Sequence, residues 1–237
     1  MTRSKSLAAV ALVSIGAVLG AAATHWWMKR PEQVRRQFHL LYHKLGSQTF
    51  NNTRWLGVPA QKCPLDMWVL QEILHETQPD VLVETGTYKG GSAYYYASLF
   101  DLMNHGRIIT VDIEDQPEKP AHPRITYLLG SSTGAATVAK VKELIRPGEK
   151  VMVLLDSDHT GSHVKRELDL YSPLVTPGAY LIVEDTHFNG HPILPNHGPG
   201  PWEAVQEFLT GNAEFAVDNQ REKFLLTFNP DGFLRRR

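Results

Sequence analysis

Val153-Leu154-Leu155-Asp156-Ser157-Asp158-His159, followed after a helical stretch by Tyr180-Leu181-Ile182-Val183-Glu184-Asp185, decides the fold. Each is an apolar run of strand length that ends abruptly in acids. Strands of a parallel sheet are buried on both faces and read as continuous apolar runs. Ligands of such sheets bind just beyond the carboxyl ends of the strands. Acids placed there meet at a crevice, where like charges raise one another's pKa unless a cation compensates them. A hard divalent ion that prefers oxygen ligands removes the conflict. One strand ending in an acid means only that the chain has reached solvent. Two strands that each end in paired acids, with a helix between them, point to a metal site.

The same alternation extends outward from these runs. The pattern predicts strands at Asp80–Glu84, Ile108–Asp112, Ile125–Leu129, Val151–Asp156 and Ala179–Glu184. Helices are predicted at Met67–Glu76, Gly91–Asn104, Thr133–Ile145 and His163–Tyr171, with Asp66 and Ser132 placed to cap the first and third. This βαβ order demands a mostly parallel sheet with helices on both faces. A Gly/Pro-rich loop, Asn189 to Pro201, leads to a helix Trp202–Leu209. Two last strand-like runs, Glu214–Val217 and Phe224–Phe228, suit an antiparallel hairpin at the C-terminal edge. Upstream, Pro31 opens an amphipathic helix over 31–47 with Val34, Phe38, Leu41 and Leu45 at helical spacing.

The first strand, Val81-Leu82-Val83-Glu84, runs into Thr85-Gly86-Thr87-Tyr88-Lys89-Gly90-Gly91-Ser92. Gly86 lets backbone approach a ligand, and Gly90 and Gly91 permit a tight entry into the helix. The spacing is neither the full dinucleotide fingerprint nor a phosphate-cradling P-loop. Glu84 at the strand end repels a pyrophosphate and suits an amine-bearing ligand such as the methionine part of S-adenosylmethionine. Asp112 ends the next strand and is placed to accept both hydroxyls of a ribose. Gly130, Ser131 and Ser132 follow the third strand, either to meet an adenine or to cap the next helix.

The 237 residues suffice for one full α/β domain, and 42% hydrophobic with 21% charged residues is ordinary for a globular chain. A net charge of −1 excludes the basic surface that a nucleic-acid grip requires. Cys63 is the single cysteine, so no internal disulfide forms, and without a Cys–His motif it reads as packing. Residues 1–30 differ from the rest. Arg3 and Lys5 precede an uncharged run from Leu7 to Met28, and Lys29, Arg30, Arg35 and Arg36 follow. The run is long enough to cross a bilayer, and Trp26 and Trp27 sit where an interfacial belt would lie. The excess of basic residues after the run orients the body toward the cytosol. This N-terminal segment is read as a membrane anchor, with a cleaved signal peptide ending near Ala21-Ala22-Ala23 as the rival. Residues 31–237 are read as one α/β domain.

Asp66-Met67-Trp68 with Gln71-Glu72-Ile73-Leu74, Glu84-Thr85-Gly86-Thr87 with Gly90-Gly91-Ser92-Ala93, Leu155-Asp156-Ser157-Asp158-His159 with His163-Val164, Val183-Glu184-Asp185, and Asn189-Gly190-His191-Pro192 through Gly198-Pro199-Gly200-Pro201 carry a resemblance. With these motifs the chain resembles the cephalosporin hydroxylase-like family of S-adenosylmethionine-dependent O-methyltransferases, most of all its rhamnosyl members. The resemblance implies a Rossmann-like class I methyltransferase fold. It also implies Mg²⁺ held by an acid of the fourth strand together with Glu184 and Asp185. Asp156 is the favoured fourth-strand ligand; Asp158, two residues further out, is the alternative or an additional ligand. His159 is the candidate base that takes the acceptor's proton, the bland alternative being that it caps a helix or orients Asp156. The cofactor set is S-adenosylmethionine, contacted by Glu84, Gly86, Gly90, Gly91, Ser92, Asp112, Ser131, Ser132 and Asp156, with Mg²⁺. The acceptor is expected to be a small-molecule or lipid-linked sugar. His187, His191 and His197 match no common zinc spacing and are expected at the substrate mouth or in solvent. Trp55 and Trp202 are candidates to stack on a sugar face, while Trp68 reads as core. A hydroxylase, as the family name suggests, and an inactive binding module are the competing functions. The sequence leaves the oligomeric state open, including a homo-oligomer.

Overall fold

The structure, a computed structural model, describes residues 30–237. The expected anchor or signal segment therefore lies, except for Arg30, outside the described residues. Among the described residues no helix is long and apolar enough to cross a membrane. The chain divides into two compact units, residues 1–41 and 42–237. Of the first unit, residues 31–41 are helical, the start of α1 (Pro31–Lys44), and Val34, Phe38 and Leu41 are exposed.

The second unit carries the rest. A small hairpin, β1 (Arg54–Trp55) and β2 (Val58–Pro59), precedes α2 (Pro64–Thr77). Then come β3 (Val81–Thr85), α3 (Gly91–Leu102), β4 (Arg107–Asp112), β5 (Ile125–Leu129), α4 (Ala135–Leu144), β6 (Val151–Leu155), α5 (Gly161–Tyr171) and β7 (Tyr180–Val183). The chain closes with α6 (Pro201–Gly211), β8 (Phe215–Val217) and β9 (Phe233–Arg236). The main sheet has seven strands in the order β5-β4-β3-β6-β7-β9-β8. The first five pair in parallel, and β9 is antiparallel to both β7 and β8. The order reverses direction between β3 and β6, which makes their carboxyl ends the ligand-binding crevice.

Pleating sends alternate strand residues to opposite faces. Val81, Val83, Ile109, Val153, Leu155 and Leu181 pack on one face with Val138 and Val141 of α4, Val164 and Leu168 of α5, and Val205 of α6. Leu82, Ile108, Met152, Leu154 and Ile182 pack on the other with Leu70 and Ile73 of α2 and Tyr96 and Phe100 of α3. Each fully buried aliphatic side chain contributes about 1.5–3 kcal/mol relative to exposure. These two cores fix where the strand ends lie.

Three local expectations are corrected. Phe224–Phe228 is not a strand; the antiparallel edge partner is Phe233–Arg236. The Phe224–Phe228 run is apolar because Leu226 and Phe228 pack around Cys63. Asp66 is not the cap of α2, whose N-cap is Cys63; it lies in the first turn, buried, and accepts the Phe228 N–H at 2.8 Å. Ser132 does not cap α4, which starts after Gly134; its hydroxyl pairs instead with His163 Nε2 at 3.0 Å.

Candidate active site

A cavity of about 650 Å³ opens at the carboxyl ends of β3, β4, β6 and β7. Gly86, Ser92, Asp112, Ser131 and Ser132 line it, together with Asp156, Asp158, His159 and Asp185. The turn after β3 is built for close approach. Gly86 has φ +86°, and a Cβ there would stand 1.8 Å from the Asp156 carbonyl oxygen. Gly90 (φ +76°) is the N-cap of α3, and a Cβ on Gly91 would stand 2.1 Å from Pro59 O. These two glycines shape the turn and pack α3 against the β1–β2 hairpin; they do not line the cavity. Asp112 accepts backbone N–H groups from Tyr88 (2.7 Å) and Glu114 (2.9 Å), which holds its carboxylate at the rim.

Glu84 does not reach the ligand space. It shares the face of Leu82, under α2 and α3, is fully buried, and accepts a hydrogen bond from Thr110 Oγ1 at 2.6 Å. Burial pushes its pKa up to about 7, against the opposing pull of the Lys62 charge.

The acids of β6 and β7 do converge. One ligand atom from each of Asp156, His159 and Asp185 lies within 4.8 Å of the others, the one such group among the described residues. His159 Nε2 is 3.1 Å from Asp185 Oδ2, and His187 Nε2 is 3.1 Å from Asp185 Oδ1. Burial works against the charge on Asp185, yet the His187 hydrogen bond and the proximity of His159, His187 and Lys62 hold its pKa at about 2. Its backbone stands at φ +56°, a conformation that a non-glycine residue adopts only where its surroundings impose it. Asp158 sits apart from this group. Its Oδ1 accepts the Thr160 N–H at 2.7 Å, serving the entry to α5.

Glu184 points to a partner that the sequence did not reveal. Lys62, buried on the segment between β2 and α2, donates to both Asp156 Oδ2 and Glu184 Oε2. The second oxygen of Glu184 is buried with no hydrogen-bond partner. Burial raises the pKa of both Asp156 and Glu184, and Lys62 pulls both down. A lone lysine in a polar loop carries no pattern, so only the tertiary fold exposes this role. Of the two places expected for His187, the cavity wall is where it stands. It is buried rather than solvated, stacked on Phe188 (ring centroids 5.1 Å) and close to Phe228 (4.2 Å). Its burial lowers its pKa. His191 stacks on Trp202 (4.1 Å) and bonds Glu203 (3.1 Å). Trp55 bonds Ser98, while Trp68 is exposed rather than core, and none of the three tryptophans lines the cavity.

The donor set suits a hard cation. Octahedral Mg²⁺ with bonds of about 2.1 Å places its ligands roughly 3–4 Å apart, compatible with carboxylates gathered this closely. The orphaned buried oxygen of Glu184 and the cluster of three acids beside one lysine both ask for further positive charge. Asp156 and Asp185, with His159, are the gathered residues that could hold it, while Glu184, the further acid expected from the sequence, is turned to Lys62.

Comparison with known proteins places this geometry in context. The sequence model described as rhamnosyl O-methyltransferase/CmcI matches residues 47–237. The rhamnosyl O-methyltransferase of Mycobacterium tuberculosis is 34% identical over 242 residues, covering 99% of this chain and 98% of that protein. That of Mycobacterium leprae is 37% identical over 216 residues, covering 87% and 92%. Among solved structures, CmcI in its apo form superposes with a TM-score of 0.62 at 22% identity, over 78% of this chain and 76% of that one. CmcI with Mg and SAM superposes with a TM-score of 0.61 at 21% identity, over 79% and 78%. At that identity the structures speak for the fold.

Proposed function

The chain belongs to the rhamnosyl O-methyltransferase/CmcI family, and from that premise we propose that it methylates a hydroxyl of a sugar or lipid-linked glycoside in a Mg²⁺-dependent reaction. As a member it is an S-adenosylmethionine-dependent O-methyltransferase. One observation carries the finer reading. Asp156, His159 and Asp185 converge on the wall of the same cavity that Gly86, Ser92 and Asp112 line. A nucleoside held at the β3 turn and an acceptor held at the β6–β7 acids therefore share one space.

Mg²⁺ held there would lower the pKa of an acceptor hydroxyl and fix its position, and S-adenosylmethionine would supply the methyl group. The chain does the rest. Gly86 admits the nucleoside, and Asp112 keeps lone pairs for ribose hydroxyls while its backbone bonds fix its orientation. His159 takes the acceptor proton at its ring nitrogen, and the Asp185 carboxylate 3.1 Å away steadies the imidazolium that forms. Asp158, engaged with Thr160, is left out of the metal set. Phe50, Phe188 and Phe228 line the cavity and offer apolar faces to a sugar ring. The gathering of two carboxylates with one histidine speaks against the two-His, one-carboxylate arrangement of a non-haem iron hydroxylase. In the same proposal the apolar run at residues 7–28 holds the domain at the cytosolic membrane face, within reach of a lipid-linked acceptor.

The test is transfer of a labelled methyl group from S-adenosylmethionine to a rhamnoside, with Mg²⁺ or with EDTA. Transfer that requires Mg²⁺ is expected. Transfer undiminished in EDTA would remove the metal from the proposal, and no transfer to any glycoside would remove the acceptor class.

A further inference from the structure

Lys62 stands in a position that the proposed reaction leaves unexplained. It is buried, and its ammonium joins Asp156 to Glu184. The ligand atoms that gather within 4.8 Å come from Asp156, His159 and Asp185, and Glu184 is not among them. Its carboxylate is turned to Lys62. For Glu184 to serve a metal beside Asp156 and Asp185, it must be released from the ammonium.

There is somewhere for that ammonium to go. A small cavity of about 20 Å³, room for about one water-sized group, lies behind the acids. Lys62, Asp66, Asp156 and Glu184 are on its wall. Asp66 offers a buried carboxylate there. The backbone of Lys62 is pinned, its N–H donating to Thr53 Oγ1 at 3.0 Å, so the exchange needs only the side chain to swing.

We propose that Lys62 is a built-in competitor at the metal site: it neutralises Asp156 and Glu184 when the cation is absent and yields Glu184, turning toward Asp66, when the cation enters. This rests on the metal reading above. Two cations drawn to the same carboxylates exclude one another, so the lysine sets how weakly the site holds its metal.

The experiment measures Mn²⁺ affinity by electron paramagnetic resonance on the full chain in detergent, for the wild type and for Lys62→Met, Lys62→Gln and Lys62→Arg. The neutral variants are expected to bind Mn²⁺ at least tenfold more tightly than the wild type, and Lys62→Arg no more tightly. Neutral variants that bind equally or more weakly than a metal-binding wild type overturn the proposal and leave the metal site standing. Absence of Mn²⁺ binding in every protein overturns both. Should the neutral variants fail to fold, the Lys62 side-chain NMR signal of the wild type decides. A shift on addition of Mg²⁺ is expected, and an unchanged signal at saturation overturns the exchange.

Discussion

Asp185 is gripped from two sides: His159 Nε2 lies 3.1 Å from one carboxylate oxygen and His187 Nε2 lies 3.1 Å from the other. One carboxylate thus links the candidate base to a buried histidine while standing beside Asp156. On the proposed mechanism, replacing it removes a metal ligand and the partner of the base together. Asp185→Asn should lower kcat by at least about 100-fold while S-adenosylmethionine still binds, as initial rates and calorimetry would report. A loss confined to KM for the acceptor would contradict the assignment.

His159→Gln keeps a polar side chain but cannot take a proton at neutral pH. Loss of a general base costs about 10²–10⁴-fold in rate. Calorimetry on the same variant should show unchanged S-adenosylmethionine affinity. A variant that retains wild-type kcat across pH 6–9 would reduce His159 to an orienting role.

Gly86→Ala places a methyl group 1.8 Å from the Asp156 carbonyl at φ +86°. No rotamer relieves a clash with backbone. The β3 turn must move away from β6, and the expected outcome is loss of S-adenosylmethionine binding with a marked fall in melting temperature. Asp112→Ala, by contrast, should fold and weaken S-adenosylmethionine by about 10–100-fold, since it removes hydrogen bonds to a charged acceptor.

Glu84 gives a pH-dependent stability with a definite sign. Burial raises its pKa from 4.5 to about 7 in the folded chain, so the native state binds the proton more tightly than the unfolded one. The stability this contributes is fully present below pH 4.5 and is lost as pH rises through about 7, a span worth roughly 3 kcal/mol. Glu84→Gln cannot ionise. Thermal melts should therefore show the variant gaining on the wild type between pH 5 and pH 9, and a constant difference would contradict the buried carboxyl.

Much of this architecture is legible in the chain because parallel strands are buried on both faces. Val81–Val83, Val151–Leu155 and Tyr180–Val183 are apolar throughout, Ile108–Val111 is broken only by the buried Thr110, and each run is followed directly by an acid. β9 escaped because half of it is arginine; Phe233 and Leu234 are buried, while Arg236 donates to the Val175 carbonyl and to Glu214. The false strand Phe224–Phe228 is apolar for a different reason, the local packing around Cys63. Glu84 nears the strand end, which points it to the ligand, but the two-residue pleat assigns it to the face of Leu82. Lys62 is defined by partners far away in sequence, Asp156 and Glu184, and the burial of His187 owes much to the equally distant Phe228 ring. No spacing rule connects them.

Metal removal tests the whole site at once. EDTA should abolish methyl transfer and leave S-adenosylmethionine binding largely intact, because on the proposed mechanism Gly86 and Asp112, not the metal, hold the nucleoside. Mg²⁺ should restore the rate.

The most direct measurement is anomalous diffraction from crystals soaked with Mn²⁺ and S-adenosylhomocysteine. One peak is predicted, within about 2.2 Å of oxygens of Asp156, Glu184 and Asp185 and beside a nucleoside whose ribose meets Asp112. A peak on Asp158 instead, or no peak at these acids with the nucleoside in place, would contradict it.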